Sequence, residues 1–394
     1  MLFDFCVFFC RFVKGLNSRK SKNSIDMGLY SHDSRIVLTL DAGATNMVFG
    51  AMREEEFISE PICLPSHAHD LSLCLSTIVS GFEAVKATLE EAPAAISFAF
   101  PGPADYPNGI IGGFLPNFPS FRDGVALGPF LQEKFGIPVF INNDGDLYAF
   151  GEALAGALPE VNARLSALGS KKQYHNLIGY TLGTGFGIGC VINGQLNRGD
   201  NSCVETFCLP NILDNDIIVE DGVAIRAVKR GYAERSGIND PDLTPKDIFD
   251  IAEGIKEGDA EAAKATFSEI GTIAGATMAT AASLIDGLIV IGGGITSSHK
   301  YFMPSLLQAM RSKIHTLSGE ELGRLQVNVY DLDNDEEFLR FAKGQARNLK
   351  VFGSDKEVTY DPEKRIGVMI SHIGTSKAIS IGAYDFALSQ LDEK

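Results

Sequence analysis

Two glycine-rich turns, each set between β-forming runs, constrain this chain more than any other feature. The first is Asp41-Ala42-Gly43-Ala44-Thr45-Asn46, which follows Val37-Leu38-Thr39-Leu40 and precedes Met47-Val48-Phe49. Small residues in such a turn let main-chain N–H groups approach an anion. Asp41 at its edge supplies an oxygen ligand of the kind that holds Mg2+ through water. The second turn, Gly183-Thr184-Gly185-Phe186-Gly187-Ile188-Gly189, lies about 140 residues later. Strand-like Leu177–Leu182 leads into it, Cys190-Val191-Ile192 leaves it, and Asn193-Gly194 signals a tight hairpin. A dinucleotide fingerprint would need a helix after the glycines, and here a strand follows. Both turns read as strand–turn–strand phosphate loops, although an ordinary hairpin accounts for either one alone.

A third run, Gly287–Ile291 followed by Gly292-Gly293-Gly294, is a buried strand entering a turn. Three consecutive glycines allow the close backbone approach that suits a flat group such as adenine, and close packing explains them equally well. The run sits between an Ala-rich helix at about 266–285 and an amphipathic helix at about 301–314. Upstream, Leu71, Leu75, Ile78, Phe82, Val85 and Leu89 mark one face of a helix. Residues 95–100 read as a strand, a helix is expected at about 125–135, and Pro138–Ile141 is a strand whose end carries Asn142-Asn143-Asp144. Ligand sites in α/β sheets gather at such strand ends. There Asp144 is placed to act as a general base, or merely to cap a helix starting near Leu147.

Length and charge bound the partners. The chain has 394 residues, enough for two domains, and 45 % of them are hydrophobic. Its 34 Lys and Arg against 50 Asp and Glu give a formal charge of −16, which argues against nucleic acid. Small anions held by backbone remain allowed. Seven scattered cysteines read as reduced thiols in a cytoplasmic protein rather than a disulfide scaffold. Residues 1–13 form an apolar run with a basic stretch behind it, too short to span a bilayer and lacking the layout of a secretory signal. Residues 1–34 are expected to be a dispensable extension, translated from a start upstream of Met27; a membrane-surface anchor is the alternative.

Taken in order, DAGAT at 41–45, PGPAD at 101–105, LPN at 115–117, NNDGD at 142–146, GTGFGIG at 183–189 and VIGGGI at 290–295 carry a resemblance. The sequence resembles the ROK family of sugar kinases and sugar-responsive repressors, within the actin–hexokinase superfamily. The resemblance implies an α/β protein with a two-domain actin-like ATPase (ribonuclease H-like) fold and a cleft between the domains. A small domain would span 35–142, joined by a C-terminal helix within 376–394. A large domain would span 143–375, with a β-rich insertion at about 332–371 lying near the cleft, at a subunit contact or as a surface ornament. The family habit is a homodimer.

The resemblance also implies chemistry: ATP-dependent phosphorylation of a hexose such as glucose at a primary hydroxyl, with Asp144 as general base. Asn117, Asn143 and Glu205 would join Asp144 at the sugar, with Phe121 where the family usually has Trp. Asp41, Gly43, Ala44, Thr45, Asn46, Gly183, Thr184, Gly185, Gly292, Gly293 and Gly294 would bind ATP, and Asp41 would hold Mg2+ through water. Around Glu205 the chain departs from the family pattern: Val204 and Phe207 replace glycines, and Cys208 replaces a histidine. Cys203 and Cys208 supply only half of a zinc set, so no zinc site is expected. The altered segment leaves the sugar open, with N-acetylglucosamine or N-acetylmannosamine as the alternative, and admits a catalytically weak sugar-binding protein. A repressor is disfavoured, because only 40 residues precede Asp41 and the charge is acidic.

Overall fold

The computed structural model describes residues 28–102 and 104–393. Most of the extension assigned to 1–34, including Met27, lies outside the described residues, as does Pro103 of the PGPAD motif. The chain divides into two compact units. The first takes in the described residues through Pro159, the segment Leu196–Val204 and the chain from Ser376 on; the second holds Glu160–Gln195 and Glu205–Thr375.

In the first unit, β1 (Val37–Ala42) turns back antiparallel as β2 (Asn46–Arg53). Short strands β3 (Glu56–Phe57) and β4 (Ile62–Pro65) both pair with β2. On the other side of β1, β5 (Ala95–Ala99) and β6 (Val139–Asn142) add in parallel, giving the order β3–β2–β1–β5–β6. Helix α1 (Leu71–Lys86) starts where Asp70 accepts the Leu73 N–H at 3.0 Å. Of the expected stripe it buries Ile78, Phe82 and Val85, with Cys74 beside them; Leu71 and Leu75 are half-buried and Leu89 lies beyond its end, and Phe82 meets Phe49 edge-on at 5.2 Å. Helix α2 (Leu127–Phe135) follows, ended by Gly136 in the left-handed conformation.

The boundary expected at 142/143 moves. Helix α3 (Asp144–Leu154) stays with the first unit because it is locked to the C-terminal helix Thr375–Asp392. A Cβ on Gly382 would come within 1.9 Å of the Leu147 carbonyl oxygen, and one on Gly151 within 2.0 Å of the Ala378 oxygen. Glycine at both contacts lets the two backbones touch. Phe386 of the C-terminal helix packs at 5.7 Å from Phe150 and 6.1 Å from Phe140.

The second unit repeats the opening pattern. Strand β7 (Leu177–Leu182) turns back as β8 (Phe186–Ile192), and β9 (Leu288–Gly292) runs parallel to β7 on its other side. Strands β10 (Asn328–Asp331) and β11 (Arg365–Ile370) extend the sheet in the order β8–β7–β9–β11–β10. Asn193 and Gly194, both at positive φ, make the expected tight turn after β8. Helices α4 (Ile225–Ser236) and α5 (Pro245–Ala252) lead to α6 (Ala260–Ile285), whose small residues let α7 (His299–Met310) lie close along it.

The β-rich insertion at 332–371 is corrected on two counts. Residues 335–343 form an amphipathic helix, α8 (Asp335–Lys343), burying Phe338 and Phe341; and β11 is a buried inner strand of the sheet. Only the exposed hairpin Arg347–Lys350 with Glu357–Tyr360 stands apart, because its residues bury nothing on either face.

One buried group in the first unit is out of balance. Asp385, on the C-terminal helix, is 0 % exposed and neither carboxylate oxygen has a hydrogen-bond partner. Burial, and then the charge of Glu55, push its carboxyl well above the ordinary value. A carboxyl raised on folding contributes stability below its unfolded value that is lost as pH rises toward the folded one. Asp385→Asn is therefore expected to stabilise the fold at pH 8, by about 1 kcal/mol or more, and to matter little near pH 4. Melting curves at the two pH values check this.

Candidate active site

The β1–β2 turn is set by its own backbone. A Cβ on Gly43 would lie 2.6 Å from the Asn46 carbonyl oxygen, so only glycine permits this curvature. Ser66, just after β4, pins the turn from outside: its N–H donates to the Thr45 oxygen at 2.9 Å and its hydroxyl to the Ala44 oxygen. Asp41, Ala44 and Thr45 are exposed, with Gly43 and Asn46 half-buried. The sequence motif missed Ser66, which lies about twenty residues away with no local signal.

At the end of β6 the three polar residues divide their tasks. Asn142 is fully buried. Asn143 is the helix cap: its side chain accepts the Gly145 N–H at 2.7 Å. Asp144 is the first residue of α3, with its Oδ1 2.9 Å from the same N–H. The helix thus starts at Asp144 rather than near Leu147, and the capping role considered for Asp144 falls to its neighbour. The N-terminal end of a helix favours negative charge there.

Asp41 and Asp144 line one pocket of about 120 Å³ in this unit, with Thr39, Ser59, Ala99, Ser376 and Ser380 among its walls and no basic side chain among its lining residues. Both carboxylates expose surface to this concavity rather than being enclosed. The surrounding protein raises both carboxyls above the ordinary value, and the charge of Asp144 raises Asp41 further. Two such carboxylates facing one space without a cation of their own suit a hydrated divalent ion, and Mg2+ fits that donor set. Among the described residues no group of three His, Cys, Asp or Glu side chains could hold a metal.

Asn117 sits exposed in a turn between buried Leu115 and Phe118. Phe121 does not face solvent: it is fully buried, 5.1 Å from Phe100 and 6.0 Å from Phe118. Glu205 lies half-buried in a loop of the second unit. Cys203 and Cys208 are exposed free thiols.

The second unit brings its two glycine runs together. Strand β9 runs beside β7 with Gly292 opposite Thr181, and Gly293, at φ +99°, lies against Leu182. Gly293 donates its N–H to Thr375 Oγ1 at 2.6 Å, and Gly294 is exposed. The 183–185 turn is braced from below: Ile225 donates to the Gly183 oxygen at 2.8 Å, and Glu220 accepts the Phe186 N–H at 3.0 Å. Arg226 pairs at the surface with Glu220 at 2.8 Å and with Asp221. Sequence reasoning did not find Glu220 or Arg226, because neither belongs to a turn motif.

The crystal structure of a glucokinase from Parabacteroides distasonis is 55 % identical, superposes with a TM-score of 0.86, and is matched over 92 % of this chain and 99 % of its own. The chain belongs to the ROK family. The family model, described as ROK family, matches residues 37–206. A ROK glucokinase from Streptomyces griseus, in complex with glucose and AMPPNP, shares the fold at 18 % identity, with a TM-score of 0.54 over 90 % of this chain and 99 % of that one. The xylose repressor of Bacillus spizizenii is 38 % identical over 104 residues, which are 26 % of this chain and 23 % of the repressor. The fold of this ROK protein is α/β, that of the actin-like ATPases.

Gly293→Ala tests the junction of the second unit's glycine runs. The new Cβ would fall 2.2 Å from the Leu182 oxygen at a φ that L residues rarely adopt. A loss of about 2 kcal/mol or more is expected in denaturant unfolding.

Proposed function

We propose that this ROK sugar kinase transfers the γ-phosphoryl group of ATP to a primary hydroxyl of a hexose, glucose in the first instance, with Asp144 as general base. The observation that carries this reading is the division of labour at the end of β6. Asn143 caps the helix, so Asp144 reaches the pocket it shares with Asp41. A carboxylate at a strand end and helix start is fixed by backbone, and transfer through a loose transition state depends mainly on such positioning. Asp144 would take the hydroxyl proton as the oxygen attacks phosphorus. With one Asn143 oxygen engaged by Gly145, its amide NH2 would serve a sugar hydroxyl, as would Asn117 and Glu205.

The turn at 41–46, with Asp41, Gly43, Ala44, Thr45 and Asn46, would receive ATP phosphates through backbone N–H groups. So would Gly183, Thr184 and Gly185, with adenosine against Gly292, Gly293 and Gly294. Bound Mg2+, held by Asp41 through water, would neutralise charge on the phosphates. Glucose is supported by the name of the 55 % identical relative. No helix among the described residues is long and apolar enough to cross a membrane.

A coupled assay with ATP across glucose, mannose, N-acetylglucosamine and N-acetylmannosamine tests the substrate. Asp144→Asn is expected to lower kcat by about 100-fold or more while the melting curve stays that of a folded protein. Near-normal turnover in that variant removes Asp144 from the role of base. Because the surrounding protein raises the Asp144 carboxyl, the acid limb of kcat/KM should fall above the ordinary Asp range, with activity lost as pH drops through it.

A further inference from the structure

A cavity of about 330 Å³ opens in the second unit at the foot of the hairpin formed by Lys313–His315 and Glu321–Gly323. Its other walls come from the end of α7, the start of β10 and one face of α8. Asn328 opens β10, so the cavity lies at the opposite end of the parallel strands from Gly292, which closes β9. Acidic residues outnumber basic ones 50 to 34 in this chain, yet among the described residues three arginines and one carboxylate line this cavity. Arg311 is engaged: its Nε donates to the Val329 oxygen at 2.9 Å and its Nη2 to Glu337. Glu337 is engaged too, since it also accepts the Asp331 N–H at 2.8 Å. Arg324 keeps two free prongs. Ser312 Oγ accepts its Nε–H at 3.0 Å and the Ser312 carbonyl accepts its backbone N–H at 2.8 Å, while neither Nη has a partner among the described residues. Arg340 is exposed, with its Nη2 3.9 Å from Glu337 Oε1, beyond hydrogen-bond distance.

Ser312 thus fixes a half-buried guanidinium by its Nε and leaves the fork of the two Nη groups open. A planar fork of that kind matches two oxygens of one phosphate group. Like charges sharing a wall repel, and an anion held between them removes that cost. Glu363, the acid beside this wall, accepts Asn328 Nδ2 at 2.9 Å and the Tyr330 hydroxyl at 2.5 Å, so two lining residues already hold it. Buried Met310, Leu325 and Val329 line the same cavity, giving it apolar surface beside the charge. Concave apolar surface with a few placed polar groups is the usual make-up of a small-molecule site.

We propose that this cavity binds a small phosphate monoester: Arg324 grips the phosphate through its two Nη groups, Arg340 supplies the second positive charge, and the apolar wall takes the organic body. Two guanidiniums left over after the Arg311–Glu337 pair balance the two charges of a phosphate monoester near neutral pH. The site goes beyond phosphoryl transfer to a sugar and uses none of the residues assigned to that reaction.

Calorimetric titration of the full chain with phenyl phosphate and with inorganic phosphate, in a buffer free of other phosphate and of sulfate, tests this. Phenyl phosphate is expected to bind the wild type with a Kd of about 0.1 mM, and inorganic phosphate about threefold or more weaker. Arg324→Met should weaken phenyl phosphate by about tenfold or more, and Arg340→Gln by about threefold or more. Arg230→Gln removes a surface guanidinium outside the cavity and should bind as the wild type does. Wild-type affinity in an Arg324→Met protein with an unchanged melting curve overturns the proposal. If that variant melts early, Arg340→Gln decides: a weaker Kd supports the site and an unchanged one overturns it. An equal loss in Arg230→Gln, or no saturable binding by the wild type up to about 10 mM, also overturns it. Inorganic phosphate binding as tightly as phenyl phosphate overturns the monoester and gives the cavity to the free ion.

Discussion

The carboxylate proposed here as general base has to stand at the edge of a dry sheet without being neutralised by it, and the first unit meets that constraint. Strand β6 ends on two buried residues, Ile141 and Asn142, and Asp144 emerges two positions later where a helix begins. The helix start favours the charged form, while the crowding of the pocket disfavours it. The backbone contact between α3 and the C-terminal helix, through Gly151 and Gly382, holds the helix start in place. Position is thereby fixed by main chain, and the side chain keeps its capacity for chemistry.

The same logic runs through both glycine turns. Neither lays a free lysine or arginine on its loop. The first is pinned by Ser66, and the second by Glu220 and the N–H of Ile225. Arg226, the cation nearest the second turn among the residues that brace it, is already paired with two carboxylates. Backbone N–H groups are then what the turns offer to an anion, which reconciles the proposed phosphate binding with a chain of net charge −16.

Much of the fold was legible because its signals are local. Helix α1 declared itself by apolar spacing, and Asn193-Gly194 by its turn chemistry; both glycine turns were visible from small residues between β-forming runs. What was misread depends on distant partners. Strand β11 carries Arg365 at its start and follows an exposed hairpin, so in sequence it looks like part of an ornament. Its hydrogen bonds to β9 and β10 make it an inner strand, and the Arg365 guanidinium is satisfied by Asp361 and by the Phe341 oxygen. Phe121, standing where the family usually has Trp, is core, because Phe100 and Phe118 pack against it.

By itself the sequence determined the element types, the two strand–turn–strand loops and the cluster Asn142-Asn143-Asp144, since each rests on steric and capping rules acting over a few residues. Only the tertiary structure decided which of those three residues caps, which is buried and which faces the pocket. Adjacent polar residues in a chain are interchangeable until a strand end, a helix start and a neighbouring Arg198 assign each a different environment. The same holds for the unit boundaries: α3 follows the first unit because two glycines bring it against a helix more than 200 residues away in sequence. Such contacts are set by geometry across the fold, and no local pattern encodes them.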